Sequence, residues 1–73
     1  MTIDRAPILR AMRAWLALDQ TQVADAAGVS PRTLKLAESG ERVTDKTWGR
    51  LTAYYAAQGL EWWDDPAGIR VRQ

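Results

Sequence analysis

Apolar positions in this chain recur with helical spacing in four stretches and then switch to alternation near the end. Ile8, Leu9, Met12 and Leu16 mark the buried side of a first helix, predicted from about Arg5 to Ala17. Pro7 supports its first turn, and Thr2 or Asp4 can cap it. Val23, Ala24 and Ala27 define a second helix from Gln20 to Ala27. Asp19 is its N-cap, and Gln22 three residues on completes a capping box. Gly28 falls where the chain must turn with positive φ, which glycine does at no steric cost. Val29 follows as an apolar plug. Ser30 then caps a third helix with Pro31 at its first position; it runs to about Glu38 and buries Leu34 and Ala37.

Gly40 closes the third helix, and Glu41-Arg42-Val43 makes a short loop. Thr44 caps a fourth helix, Asp45 to Gln58, with Asp45 suited to the positive end of the helix dipole. Trp48, Leu51 and Tyr55, flanked by Tyr54, form its core stripe, and Gly59 stops it. Beyond Gly59 both Leu60–Trp63 and Ile69–Arg72 alternate around a turn-rich centre, which predicts a two-stranded hairpin over 60–72. An isolated hairpin is barely stable, so it needs a surface to pack on. Trp15 lies off the Leu9/Leu16 stripe beside Ile8 and Met12, which suggests a second apolar face on the first helix. Trp62 and Trp63 point to opposite sides of their strand. One is expected to pack on that second face. The other is left outside with one face of Ile69 and Val71 and an unpaired strand edge. Without repeats or linkers, the chain reads as a single domain over 1–73, with the helix pair at 19–40.

The segment DQTQVADAAGVSPRTLKLAESG, with Gln20, Ala24, Gly28, Val29, Ser30, Leu34, Glu38 and Gly40 in order, resembles the helix-turn-helix of phage repressors and Cro, the xenobiotic-response-element (XRE) family. The resemblance spans roughly Leu9 to Tyr55. It implies a mainly α fold: a four-helix repressor-like domain, here carrying a short C-terminal β-hairpin. A fifth helix is common in that family, and this tail departs from it. Some short bacterial members end similarly, in an extended aromatic segment, a turn and a G-[IV]-R-[VL] strand. The resemblance also implies an ion pair between Arg13 and Glu38, tying helix 1 to helix 3, and a backbone-holding role for Gln20.

Composition narrows the chemistry. The 73 residues contain no cysteine and no histidine, so disulfides, thiolate metal sites and the usual general base are excluded. No paired carboxylates, Ser/His pair or phosphate-cradling glycine loop is recognisable, and Asp64-Asp65 suits a turn, so an enzyme is not expected. No cofactor, metal or small-molecule ligand is expected either. No apolar run reaches a membrane span and no signal peptide is visible, so the expected location is the cytoplasm. Net charge is only +1. Its distribution is uneven: residues 30–50 hold five bases (Arg32, Lys35, Arg42, Lys46, Arg50) against three acids (Glu38, Glu41, Asp45), whereas 59–68 hold Glu61, Asp64 and Asp65 and no base.

The expected function is sequence-specific binding of double-stranded DNA by a transcriptional regulator, a repressor or autoregulator that inserts helix 31–38 in the major groove. Pro31, Arg32, Lys35 and Leu36 form its outward face. Arg32 can pair with guanine O6 and N7, Lys35 can reach a base or phosphate, and Leu36 can touch a thymine methyl. Proline cannot donate a hydrogen bond, so readout at Pro31 is apolar or absent. Gln20, Thr33, Arg42 and Lys46 are candidate phosphate contacts, with Arg50 a weaker one. A homodimer on half-sites one helical turn apart is expected, with Trp15, Trp62, Trp63, Ile69 and Val71 at the hairpin or dimer contact. The other reading is a protein-interaction module, or an antitoxin-type partner, that keeps the fold with weak or no DNA binding. The low net charge and Pro31 lean that way.

Overall fold

In the computed structural model, residues 5–64 and 67–72 are described. The order is α1 (Ala6–Trp15), α2 (Gln20–Ala27), α3 (Pro31–Glu38), α4 (Asp45–Ala57), β1 (Leu60–Asp64) and β2 (Ala67–Val71). Four helices and a terminal antiparallel hairpin make a mainly helical domain.

Local chemistry sets most of the element ends. The Asp19 side chain accepts from the Gln22 backbone N–H at 2.8 Å, while the Gln22 side chain accepts from the Asp19 N–H at 2.9 Å. Two otherwise orphaned donors of α2 are thereby satisfied. Ser30 and Thr44 accept from the N–H groups of Thr33 and Thr47, each at 3.1 Å, and so open α3 and α4. At the junction of α2 and α3, Gly28 has φ +77°, and a Cβ there would meet no atom within 4 Å. The requirement for glycine is therefore conformational: an L side chain would clash only with its own backbone.

The first helix differs from its expected bounds. It ends at Trp15 because Ala17 takes φ +56°. The N–H of Ala17 bonds to Ala14 O and that of Leu18 to Arg13 O, a Schellman closure with alanine in the glycine seat. Its N-cap is Arg5, which makes no side-chain cap hydrogen bond; the suggested caps Thr2 and Asp4 lie outside the described residues. Helix α4 closes one residue earlier than expected, with Gln58 as its C-cap.

All four helices and the hairpin contribute to one core. Leu9 and Met12 of α1, Val23 and Ala24 of α2, Leu34 and Ala37 of α3, Leu51 and Tyr55 of α4 and Leu60 of β1 are all buried. Ala24 is wholly covered, its methyl group taking little room between packed helices. Ala27 and Val29 are half-buried at its edge.

The hairpin pairs Leu60 with Val71, Trp62 with Ile69 and Trp63 with Gly68. Alternation puts Leu60, Trp62, Ile69 and Val71 on the face toward the helices. Trp62 is thus the inward tryptophan, but its support is not the one expected. Its ring meets Trp48 of α4 edge-on, centroids 5.2 Å apart, and the Arg5 guanidinium lies 5.0 Å from the Trp48 ring and 5.4 Å from the Trp62 ring. Trp15 takes no part in this packing; it is 62% exposed. Ile8 and Met12, its supposed companions, belong to the main core. Ile69 and Val71 are half-buried against that core and do not form an outer face. Trp63 is 42% exposed and lies across Gly68, where a Cβ would come within 2.8 Å of the indole. The outer face also carries a cross-strand ion pair between Glu61 and Arg70. At the hairpin's end, the Arg72 guanidinium donates to Ala56 O at 2.8 Å and fastens the last strand to α4.

Candidate functional site

Helix α3 has two sharply different sides. Leu34, Ala37 and Glu38 are buried, whereas Pro31, Arg32, Lys35 and Leu36 are exposed. Positions 32, 35 and 36 share one face by helical spacing. Leu36, 41% exposed, adds an apolar contact beside the two cations. The four residues singled out on this helix therefore stand together on its free side. Arg42, in the loop after α3, and Lys46, in the first turn of α4, are exposed as well.

Thr33 and Gln20 are placed differently. Thr33 is half-buried, and its hydroxyl accepts from the Ser30 hydroxyl at 2.7 Å, so it belongs first to the α3 cap. Gln20, at the head of α2, turns its amide Nε2 onto Glu38 Oε1 at 3.1 Å. Arg50 donates to Gly28 O at 2.9 Å, tying α4 to the end of α2 where a helix presents its negative pole.

Glu38 is the node beneath this face. Its side chain is 3% exposed. Arg13 grips the carboxylate with two N–H groups, Nε to Oε2 at 2.8 Å and Nη2 to Oε1 at 2.9 Å, the fork geometry that makes Arg–carboxylate pairs specific. Nη1 of Arg13 donates to Leu18 O at 3.1 Å, bracing the α1–α2 connection. Arg10, one turn earlier, donates to the backbone carbonyl of Glu38 at 2.5 Å and so satisfies one terminal carbonyl of α3. Hydrogen bonding to Glu38, with its charge, raises the Arg13 pKa, while burial opposes the rise. Burial also raises the Tyr55 phenol, helped by the Glu38 charge and opposed by that of Arg13.

Helices α1, α2 and α3 thus meet at one carboxylate. The family resemblance implies the Arg13–Glu38 pair, but neither it nor the residue pattern points to Arg10 or to the tie from Gln20. Arg10 is three residues from Arg13 and so falls on the same side of α1, the one signal that could have found it. Gln20 is 18 residues from Glu38, and no local pattern joins them.

Among the described residues, no group of His, Cys, Asp or Glu could hold a metal ion, and no helix is long and apolar enough to cross a membrane. A family described as a helix-turn-helix domain matches residues 8–62, which take in most of α1, all of α2, α3 and α4, and the start of β1. No curated protein matches the chain.

Proposed function

Because this chain belongs to the helix-turn-helix domain family, we propose that it is a DNA-binding transcriptional regulator of the phage repressor and Cro (XRE) type. It sets α3 in the major groove and acts as a repressor or autoregulator. The observation that carries the reading is the exposed Arg32–Lys35–Leu36 face on a helix whose other side is fixed by the core and by Glu38. In this reading Arg32 reads a guanine, Leu36 meets a thymine methyl and Pro31 offers apolar contact only. Gln20, Thr33, Arg42 and Lys46 hold the phosphate backbone.

One domain spans a half-site, so the regulator works as a homodimer on half-sites about one helical turn apart. Trp63, the exposed tryptophan of the hairpin, is the residue proposed at the contact between copies. Sedimentation of the full chain tests this: a monomer at high concentration that also binds DNA singly refutes it.

The test of the main reading is selection of duplexes from a randomised pool by the wild-type protein, followed by titration of the selected duplex at two salt concentrations. Arg32→Ala should cost about 1–3 kcal/mol on that duplex and relax preference at one base pair. Failure of the wild type to enrich any sequence, with only weak salt-independent binding, would favour the alternative of a protein-interaction module. Pro31 at the head of α3 and the net charge of +1 support that alternative.

A further inference from the structure

We infer that Glu38 is a positioning residue for the phosphate clamp, holding the Gln20 amide ready before DNA arrives. This rests on the DNA-binding reading above and assigns Glu38 a task besides pairing with Arg13.

Four observations carry it. Glu38 is almost wholly buried, yet its carboxylate accepts from a side chain at the solvent edge, Gln20, at 3.1 Å. A carboxylate only accepts, so Nε2 of Gln20, and not its oxygen, must face it. Nε2 carries two N–H groups, and Glu38 takes one, leaving a donor for an anionic oxygen. The carboxylate itself cannot swing, because Arg13 holds both of its oxygens at 2.8 and 2.9 Å and Arg10 fixes the same residue's carbonyl. Finally, Pro31 at the head of α3 has no backbone N–H and no polar side chain with which to compete for Gln20.

The advantage is entropic. Immobilising a free glutamine on a phosphate carries a rotamer cost equivalent to roughly a tenfold to thirtyfold loss of affinity. Here that order already exists in the unbound protein. The same contact joins the end of α3 to the head of α2, so the base-reading helix and the backbone-holding residue share one rigid frame. Arg13 then acts on DNA through Glu38 without touching it.

The test is a double-mutant cycle on the duplex selected by the wild type, using Gln20→Leu, Glu38→Leu, which leaves no acceptor for Nε2, and the double variant, with each shown to be folded at the assay temperature. Gln20→Leu keeps the packing volume and removes the donor. It should weaken binding about tenfold in the wild-type background and at most about threefold when Glu38 is already replaced. A second measurement needs no variant. In the free wild-type protein, 15N relaxation of the Gln20 side-chain amide should give an order parameter near the rigid-backbone value of about 0.85. Should Glu38→Leu not fold, this measurement alone decides. An order parameter below about 0.6, or the same fold loss for Gln20→Leu in both backgrounds, overturns the inference while leaving the DNA-binding reading in place. A wild type that selects no duplex overturns both.

Discussion

Replacing Arg13 by methionine should cost this domain a large part of its stability. Methionine roughly preserves the aliphatic stem but removes the fork. Among the described residues, the Glu38 carboxylate, 3% exposed, then keeps a single side-chain donor, Gln20, and Leu18 O loses the Arg13 donor. Stranding a buried charge in this way typically costs 3–5 kcal/mol. The Arg13 side chain is 24% exposed, so water screens part of the attraction, and the lower end, about 3 kcal/mol, is the expected loss. At roughly 0.05–0.15 kcal/mol per residue, a chain of this length has about 4–11 kcal/mol in total. The variant should therefore melt some 12–24 °C lower, at 4–8 °C per kcal/mol. Replacing both partners, Arg13→Met with Glu38→Leu, removes the stranded charge and should recover about 2 kcal/mol of the loss. Urea denaturation at pH 7, with unchanged slope, measures both variants against the wild type. A loss under about 1 kcal/mol for Arg13→Met would mean that the pair behaves as an exposed one, and the account of Glu38 as a buried node would fail.

Ala17→Gly should raise stability by about 1 kcal/mol in thermal unfolding, because a positive φ of +56° suits glycine and strains alanine. Gly28→Ala should cost about 1–2 kcal/mol by the same measurement, from backbone strain alone, since space for the methyl is open. Tyr55 gives an alkaline limb. Its phenol pKa is raised by burial above the ordinary value near 10. Above pH 10 the unfolded chain gives up a proton that the native one keeps, so this contribution is intact below pH 10 and lost above it. Tyr55→Phe should unfold with a shallower pH slope there. Removing the charge of Arg42 or Lys46 should weaken all duplexes alike and lower the salt slope by about one per charge in anisotropy titrations; an unchanged slope would remove that residue from the interface.

What the sequence determined by itself was local. Asp19 with Gln22, Ser30 and Thr44 each satisfy donors within three residues, so α2, α3 and α4 begin where the residues say they must. Helical spacing likewise separated Leu34 and Ala37 from Arg32, Lys35 and Leu36 on α3, and alternation set Trp62 and Trp63 on opposite sides of β1. The end of α1 falls earlier than its apolar spacing predicts, because nothing in the local pattern announces that alanine takes a left-handed turn. That cost is tolerable only once Leu18 is packed on the core and Arg13 holds its carbonyl. Tertiary structure alone decided which tryptophan turned inward and onto what. Parity fixes that Trp62 and Trp63 differ, but the surface on which the hairpin lies fixes which is buried. Trp62 packs against Trp48 on α4 while β2 lies along α1, and Trp15 is left in solvent. Tertiary structure also gathered Arg10, Arg13 and Gln20 on Glu38, across 28, 25 and 18 residues of chain. A buried carboxylate is costly without several donors, and only the packed helices bring donors from so far along the chain to one point.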